Sequence, residues 1–598
     1  MTADISFYEK RSVEIADLIV VKEKADRRMS ALRLIFFLIS AALLVCGFVF
    51  GRNVIFFVLS GIVFAGFIAL CILHGKIKYE LTFLQTKKEV TELYLARIYG
   101  DFEVLKDKGE EFSDNKHDYA TDLDLFGDRS LFALYNISET GYGRNMFSRF
   151  LKGKDDIPGN APDMVKDLLS RKDLLIDYQT TSKILKMDKY KNALADFSDR
   201  KKDIGSKKRL LYKVLPCLWI VPLVMFFMGL DIAGAVASVV LLIDLVVWGL
   251  ISAEYKEDLS RTIWISEHAE ALTKLYELLE KEEFSDSALK ELVSKGAPEG
   301  KKVSDYLREI SGACNLCSLR SQPIFALILN SVFPFDLFCA DRIFGMAVRY
   351  GDNYKESSAA LPIVEALMCA AVPGLVSKSS AFPEFVEDTG DISDQAYFKG
   401  EDICHPLLDP SKCVSNSIEL SGNTALITGS NMSGKTTLIR TVGVSCVLAY
   451  MGSPVPCTSV RMGRMKIVSS MRIVDSIEEN MSTFKAELVR IGRIIEVSRE
   501  NRPMLFLIDE IFRGTNSKDR TDGAMKVLEI LDKSYITGLM TTHDYELCDK
   551  VSESLKSIVY YHFSEKYNDN SILFDYKLHQ GISHESNAAF LMKLVGIG

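Results

Sequence analysis

One stretch, TALITGSNMSGKTTLIR at residues 424–440, constrains the fold of this chain more than any other. A short apolar run leads into Gly429, and the residues from there to Thr436 match G-x-x-x-x-G-K-[ST] at every fixed position. The glycines allow backbone N–H groups to curl around phosphate oxygens, and a following helix offers its positive N-terminus to the same anion. The stretch therefore predicts a strand, a phosphate-binding loop and a helix, and a chance match by a Gly/Ser-rich turn is the less favoured alternative.

The loop is expected to bind the phosphates of ATP. Lys435 is expected to reach the β- and γ-phosphates, and the hydroxyl of Thr436 is expected to ligate Mg²⁺. The predicted nucleotide-binding residues are Gly429, Ser430, Asn431, Met432, Ser433, Gly434, Lys435, Thr436 and Thr437.

A second apolar segment, MLFLIDE at residues 504–510, ends in two carboxylates. Such a strand suits a site in which Asp509 holds Mg²⁺ and Glu510 polarises an attacking water. A buried strand that merely ends in acidic residues is the alternative, but the apolar run at 536–542 before His543 fits the same nucleotide site. The sequence therefore predicts an ATPase that uses ATP and Mg²⁺.

Length and composition limit the class of protein. The chain has 598 residues, and a typical domain of about 150 residues suggests roughly three or four domains. The formal net charge of −8 argues against strong attraction to nucleic acid along the whole chain, although it allows a local basic channel. The twelve cysteines show no paired spacings, which suits a reducing cytosol. Cys314 and Cys317 form the only close pair, and burial in a helix is favoured over metal binding for them.

Two pairs of apolar runs predict transmembrane hairpins. Residues 34–50 and 54–73 lack charge, and each approaches the ~20 residues that cross a bilayer. A cleavable signal peptide is disfavoured because a long charged segment precedes the first run and a second run follows it. Residues 215–230 and 232–252 repeat the pattern, but Asp244 is costly in lipid, so a buried helical pair is the alternative there.

Flanking charge predicts the orientation of these hairpins. Six lysines and arginines lie between residues 201 and 213, whereas the turns within the hairpins carry only Arg52 and Asp231. Both hairpins are therefore expected to have their ends in the cytoplasm, with the ATPase on that side of a multi-pass membrane protein.

Helical patterns fill much of the remaining chain. Amphipathic helical patterns are expected at 8–33, 254–311 and 587–595, and a well-charged helical segment is expected at 79–112. The apolar run 323–340 contains Asn330, Pro334 and Asp336, which favours a buried helix with a break over a fifth membrane span.

The motifs of the last ~200 residues follow one another in a set order. HPLL at 405–408 comes first, then TGSNMSGKTT with its Asn-Met pair, MSTFKAEL at 481–488, DEIFRGTN at 509–516 and TTHD at 541–544. With these motifs the C-terminal part resembles the MutS family of DNA mismatch-repair ATPases, an ABC-like branch of the P-loop proteins. A weaker likeness extends to residues 122–151, which resemble the start of the family's helical core.

The resemblance implies a role for each matching residue. Asp509 supports the metal together with Thr436, Glu510 is the general base, and His543 senses the γ-phosphate. Ser482 contacts the γ-phosphate of ATP bound to a partner subunit, which requires a homodimer with composite ATP sites. The resemblance also implies DNA as a partner.

The chain departs from that family as well. We expect the family's mismatch-reading and connector domains to be absent, because the segment before residue 34 leaves no room for them. Membrane hairpins are foreign to the family's repair proteins. We therefore expect an α/β P-loop (ABC-like) ATPase domain preceded by a mainly α-helical core and lever region with two transmembrane helical hairpins. The expected domains are an N-terminal helix with the first hairpin at 1–120, the start of a MutS-like core at 121–200, the second hairpin at 201–253, levers at 254–395, and the ATPase domain at 396–598.

The expected function is that of a membrane-anchored ATPase that drives a DNA clamp and is related to mismatch repair. An ABC-type ATPase coupled to membrane transport is disfavoured, because only four candidate spans are present and MSTF stands where an L-S-G-G-Q-type segment would lie. An ATP-controlled membrane scaffold without DNA is a further alternative, and the presence of Glu510 and His543 argues mildly against it.

Overall fold

The structure is a computed structural model. It describes residues 4–51, 53–154, 157–185, 197–198, 201–260, 262–389, 395–430, 432–472, 483–512, 516–568 and 571–582. Two compact units divide the chain. The first comprises residues 1–137, 145–170 and 366–598, and the second comprises residues 138–144 and 171–365. The domain boundaries expected from the sequence stay a prediction.

Helices dominate the part of the chain before residue 377. The described helices are α1 (Ile5–Val49), α2 (Val54–Tyr99), α3 (Leu131–Tyr135), α4 (Gly141–Leu151), α5 (Ala161–Leu169), α6 (Lys172–Leu185), α7 (Ser206–Val214), α8 (Ile220–Phe227), α9 (Ala233–Ser260), α10 (Thr262–Leu279), α11 (Ser287–Ser294), α12 (Val303–Ser318), α13 (Pro323–Asn330), α14 (Phe335–Val376), α15 (Val386–Thr389), α16 (Lys435–Tyr450), α17 (Thr483–Val497), α18 (Ser517–Leu531) and α19 (Tyr545–Ser554). Short 3₁₀ segments lie at Glu110–Phe112, Leu215–Trp219 and Leu319–Ser321.

The first apolar hairpin, formed by α1 and α2, belongs to the first unit. The amphipathic segment and the first apolar run form one unbroken helix, α1. The predicted end of the first helix at residue 33 is therefore wrong. The helix expected at 79–112 is also too long, because Gly100 adopts a left-handed conformation at φ 72° and caps α2 there. Inside the hairpin the hydroxyl of Ser60 donates to the carbonyl oxygen of Ser40 across 2.9 Å. This contact joins the two helices where their outer faces are apolar.

The second apolar hairpin belongs to the second unit. Its first arm consists of α7, a 3₁₀ segment at Leu215–Trp219 and α8, and its second arm is α9. Asp244 lies within α9 with 2% of its surface exposed, and its Oδ2 accepts a hydrogen bond from the indole nitrogen of Trp219 across 2.7 Å. The carboxylate that interrupts this apolar run thus faces the other arm of the hairpin.

Five helical stretches of the described chain are long and apolar enough to cross a membrane: Ile5–Val49, Val54–Tyr99, Ser206–Phe227, Ala233–Leu279 and Phe335–Val376. In the last of them 83% of the most apolar window is buried, whereas the other four bury 17% or less. Burial marks the fifth as a core helix, as the sequence predicted for its first residues.

The run 323–340 contains the predicted break, since α13 ends at Asn330 and α14 begins at Phe335. The predicted burial is wrong for the first half. Ile324 is 73% exposed and Ile328 is 57% exposed. The reason is that α13 turns only Ala326 and Asn330 into the protein, so its remaining apolar side chains have no core to enter.

The first unit also carries two sheets. Their strands are β1 (Glu384–Phe385), β2 (Tyr397–Ile403), β3 (Asn416–Ser421), β4 (Thr424–Thr428), β5 (Ser459–Met462), β6 (Lys466–Ser470), β7 (Met504–Asp509), β8 (Ile536–Thr541), β9 (Ile558–Asn568) and β10 (Ser571–Gln580). A six-stranded sheet has the order β10-β9-β4-β8-β7-β6, and a four-stranded sheet has the order β1-β5-β2-β3.

In the larger sheet β9, β4, β8, β7 and β6 run parallel, and only β10 pairs antiparallel. Strands β4, β7 and β8 are buried at every position, which confirms the strands predicted from their apolar runs. Helices α17, α18 and α19 pack on this sheet through one cluster that includes Ile494, Leu528 and Val551. Parallel strands end at one common edge, so the residues that follow β4, β7 and β8 meet there.

The cysteines follow the sequence analysis in one respect and depart from it in another. Cys314 and Cys317 are buried in α12, as predicted. Cys404 and Cys413, however, are joined by a disulfide that the cysteine spacings did not predict.

The helix expected at 587–595 lies outside the described residues.

Candidate functional site

The glycine-rich loop lies between β4 and α16, in the order that its motif predicts. Gly429, Met432 and Gly434 all have positive φ, at 139°, 76° and 111°. A Cβ atom at Gly429 would lie 3.1 Å from the carbonyl oxygen of Phe563, so glycine permits the close approach of the loop to β9. Positive-φ residues in a glycine-rich loop are typical of backbones that turn their N–H groups toward an anion.

Lys435, the first residue of α16, is only 4% exposed. Its ammonium group donates to the carbonyl oxygens of Gly429 and Ser430 across 2.8 and 2.7 Å. It also lies 3.3 Å from Nε2 of His543, which follows β8. The lysine therefore brings a positive charge to the concave side of the loop, where a phosphate needs it.

Thr436 and Asp509 join the start of α16 to the end of β7. The hydroxyl of Thr436 donates to Oδ2 of Asp509 across 2.9 Å, and the hydroxyl of Thr541 donates to Oδ1 across 2.6 Å. A hydroxyl and a carboxylate are the oxygen donors that Mg²⁺ prefers, and Mg²⁺ usually takes its other ligands from phosphate and water. The arrangement fits this ion.

Glu510 directly follows β7 and adopts a left-handed backbone conformation with φ 51°. Its backbone N–H donates to the hydroxyl of Thr541 across 3.0 Å, and its Oε1 lies 2.7 Å from Nε2 of His543. A non-glycine residue in this conformation is strained, and such strain is concentrated at functional sites. The two predicted catalytic side chains are thus in direct contact.

Two further acidic residues hold the surrounding loops. Glu487 of α17 is 3% exposed and accepts a hydrogen bond from the backbone N–H of Phe512, two residues after Glu510. Asp544 accepts from the hydroxyl of Thr521 across 2.7 Å. The glutamate of the MSTFKAEL segment therefore braces the loop that carries Glu510, a role that the sequence analysis did not assign.

A cleft of about 550 Å³ opens beside the glycine-rich loop, which is a size suited to a small-molecule ligand. Its walls are formed in part by Val414, Asn416, Phe563 and Tyr576, none of which the sequence analysis selected. Apolar and aromatic walls next to the glycine-rich loop suit a flat heterocyclic base.

His405 also lines this cleft and is 7% exposed. Its Nδ1 accepts from the backbone N–H of Leu407 across 3.3 Å, which assigns the ring hydrogen to Nε2. Among the described residues Nε2 has no hydrogen-bond partner. Burial and then the nearby charge of Arg440 lower the pKa of His405 to about 3, so the ring is neutral. A buried N–H group without a protein acceptor fits a ligand that accepts a hydrogen bond.

Three aspartates before α3 contact the strands and helices around the loop. Asp122 is 1% exposed, and its carboxylate accepts hydrogen bonds from the hydroxyl of Ser469, from the backbone N–H groups of Met471 and Arg472, and from Arg490 across 2.8 Å. The partners lie 347 to 368 residues further along the chain, so no motif spacing reveals them.

The other two aspartates extend these contacts. Asp124 accepts from Arg440 of α16 across 2.8 Å, and Asp118 accepts from Arg493 of α17 across 3.0 Å. Burial raises the pKa of Asp118, but hydrogen bonds from Arg493 and Lys466 outweigh it and lower the pKa below its usual value. The segment at 118–124 thus holds α16 and α17 together.

Not every predicted site residue falls within the described chain. The structure brings together Lys435, Thr436, Asp509, Glu510 and His543. Asn431 and Ser482 lie outside the described residues, so the roles that the resemblance implies for them stay predictions.

Comparison with known proteins assigns a family to the part of the chain that carries this site. Residues 425–597 match the MutS domain V family. The C-terminal part of the chain thus belongs to the MutS domain V family. The DNA mismatch repair protein MutS of Wolbachia pipientis wMel is 34% identical over 195 residues, which are 32% of this chain and 22% of that protein.

Other relatives match over a similar length. Endonuclease MutS2 of Pediococcus pentosaceus is 35% identical over 200 residues, 32% of this chain and 24% of the relative. MutS protein homolog 4 of Mus musculus is 34% identical over 198 residues, 31% of this chain and 20% of the relative. The chain thus spans about a fifth to a quarter of the length of these three MutS relatives.

Proposed function

We propose that this chain is a membrane-anchored ATPase that binds and hydrolyses ATP and uses the cycle to drive a clamp on DNA. The single observation that carries the proposal is the contact of Glu510 with His543 at the edge where Lys435, Thr436 and Asp509 also meet. A carboxylate that can accept a proton, an imidazole and a lysine ammonium group that can bind phosphate lie in one place. Together these groups support hydrolysis of a nucleotide.

The residues divide the chemistry among them. Lys435 binds the β- and γ-phosphate oxygens. Glu510 takes a proton from the water whose oxygen bonds to the γ-phosphorus, while the bond from that phosphorus to the bridging oxygen breaks and ADP leaves. His543 orients the Glu510 carboxylate and contacts the γ-phosphate. Thr436 and Asp509 would hold Mg²⁺, which supplies positive charge to the phosphate oxygens when it is bound.

Attachment to a membrane rests on the four exposed apolar arms of the two hairpins. Each bears large apolar side chains that face away from the protein, such as Phe227 with 79% of its surface exposed. Soluble proteins rarely leave apolar surface of this extent uncovered. A cysteine introduced at position 52 should react only with reagent on the outer face, and labelling from the cytoplasmic face alone would reverse the topology.

DNA as the partner rests on the similarity to the MutS family, since the Wolbachia relative carries the name of a DNA mismatch repair protein. The experiment measures ATP turnover of the detergent-purified chain without DNA and with duplex, mismatched or branched DNA. We expect turnover that Lys435→Ala abolishes and that Lys526→Ala, on the exposed face of α18, leaves unchanged. Stimulation by one DNA form supports the clamp. ATP turnover that no form of DNA changes contradicts the clamp and favours the ATP-controlled scaffold.

A further inference from the structure

Helix α13 presents apolar side chains around most of its circumference. Ile324, Phe325, Leu327 and Ile328 are 73%, 54%, 49% and 57% exposed, and Val332, just after the helix, is 50% exposed. A helix on the surface of a soluble unit normally has a polar outer face, which α13 lacks. Contiguous apolar surface of this kind marks contact with another apolar phase.

The surface of α13 continues that of the second hairpin. α13 packs against α9, whose Val246 and Leu250 are 57% and 72% exposed. Trp248 of α9 donates its indole N–H to Oδ2 of Asp336, just after the break that follows α13, across 3.2 Å. The helix is therefore attached to the arm that we propose to lie in the bilayer, at the end of that arm nearest the cytoplasm.

Asp336 satisfies the polar groups at both ends of α13. Arg320, before the helix, donates to both carboxylate oxygens of Asp336 across 3.0 and 3.2 Å. Asn330, the last residue of the helix, is 1% exposed and accepts from the backbone N–H of Asp336 across 3.1 Å. Polar groups within hydrocarbon must be paired inside the protein, and these are.

We propose that α13 is a re-entrant helix that inserts into the cytoplasmic leaflet of the membrane beside the second hairpin. Eight residues at 1.5 Å each extend only about 12 Å, well short of the ~30 Å hydrocarbon core. The helix therefore enters the leaflet and returns on the same side. The acyl chains of the lipid cover its exposed apolar side chains. The inference rests on the proposed membrane attachment of the second hairpin.

Depth-dependent fluorescence quenching tests the insertion of α13. The full chain, with Cys46, Cys71 and Cys217 replaced by serine, is labelled with an NBD group on one introduced cysteine and reconstituted into vesicles. The vesicles contain phosphatidylcholine with a doxyl quencher at acyl carbon 5 or 12. The label is placed in turn at Phe325→Cys, at Leu242→Cys in α9 as the membrane reference, and at Val348→Cys in α14 as an exposed apolar control.

We expect Phe325→Cys to be quenched at least half as strongly as Leu242→Cys, and more by the shallow quencher than by the deep one. Val348→Cys should not be quenched. If Leu242→Cys is quenched and Phe325→Cys is not, α13 contacts water or a second protein copy and the inference is wrong, while the membrane attachment stands. If neither is quenched, the membrane attachment of the hairpin fails and the inference fails with it.

Discussion

The hydroxyl of Thr436 donates a hydrogen bond to Oδ2 of Asp509 across 2.9 Å. The contact joins the first turn of α16 to the carboxyl end of β7, two elements that are 73 residues apart in sequence. Because Thr541 holds the other oxygen of the same carboxylate, the orientation of Asp509 is fixed before any ligand binds. The two side chains are therefore held in place at the position where we propose that Mg²⁺ binds.

Removing the charge of this carboxylate should weaken the metal site. We expect Asp509→Asn to raise the Mg²⁺ concentration for half-maximal ATP turnover by about tenfold or more, because the amide is a poorer ligand than the carboxylate. Titration of turnover with Mg²⁺ measures the change. The matched control is Asp522→Asn, on the exposed face of α18. An unchanged Mg²⁺ dependence in Asp509→Asn would remove this residue from the metal site.

Asp122 should contribute strongly to stability. Asp122→Asn leaves Arg490 and two backbone N–H groups facing a neutral amide in a buried place, and breaking a buried charge pair costs about 3 kcal/mol. Denaturant unfolding of the detergent-solubilised chain measures the loss. Asp128→Asn is the control, because its side chain is 76% exposed, and we expect it to change stability by less than about 0.5 kcal/mol. Equal effects of both variants would contradict the account.

His405 should make stability depend on pH. Its pKa is about 3 in the folded chain and about 6.5 when unfolded, so between these values the unfolded state binds the additional proton. The contribution of His405 to the free energy of unfolding is therefore complete above pH 6.5. It decreases as the pH falls toward 3, by up to ~1.4 kcal/mol per pH unit. Melting temperatures of wild type and His405→Gln between pH 7 and pH 4.5 test this. We expect a shallower decline in His405→Gln, and parallel declines would show that the histidine does not contribute.

The composite site implied by the family makes a prediction about mixed dimers. If Ser482 of one subunit completes the site built on Lys435 of the other, Lys435→Ala and Ser482→Ala should each be nearly inactive alone. Mixing the two variants should restore roughly a quarter of wild-type turnover, because half of the dimers are mixed and each has one intact site of two. Turnover after verified subunit exchange measures this.

A double variant carrying Lys435→Ala and Ser482→Ala is the control for that mixture. Mixed with wild type, it leaves no intact composite site in the mixed dimer. A site contained within one chain would instead leave the wild-type half working. Activity that follows the fraction of wild-type subunits would therefore contradict the composite site.

The sequence predicted those parts of the site that lie in short, strongly patterned segments. Strands β4 and β7 are fully buried apolar runs, and Lys435 and Glu510 follow them at motif spacing, so local sequence was sufficient to find them. The sequence also placed Glu510 and His543 in one site, and the parallel pairing of β7 with β8 in the structure brings both strand ends to one edge.

Other features depend on contacts that no local pattern encodes. Asp122 has partners more than 300 residues away, and its role became visible only in the folded chain. The cleft wall formed by Phe563 and Tyr576 comes from a strand pair that carries no nucleotide-binding motif. The apolar run 323–340 was predicted to be buried because Asn330, Pro334 and Asp336 interrupt it, and hydrophobicity alone does not show which side chains enter a core. The exposure of Ile324 shows that the first half of the run lies outside the core.

The most direct test of the account compares ATP binding with ATP turnover in Glu510→Gln. A general base acts on water in the transition state, so we expect turnover at least about a hundredfold below wild type while the Kd for a fluorescent ATP analogue stays within about threefold. Glu529→Gln, on the exposed face of α18, should match wild type in both measurements. Near-normal turnover by Glu510→Gln would contradict the central claim that this carboxylate drives hydrolysis.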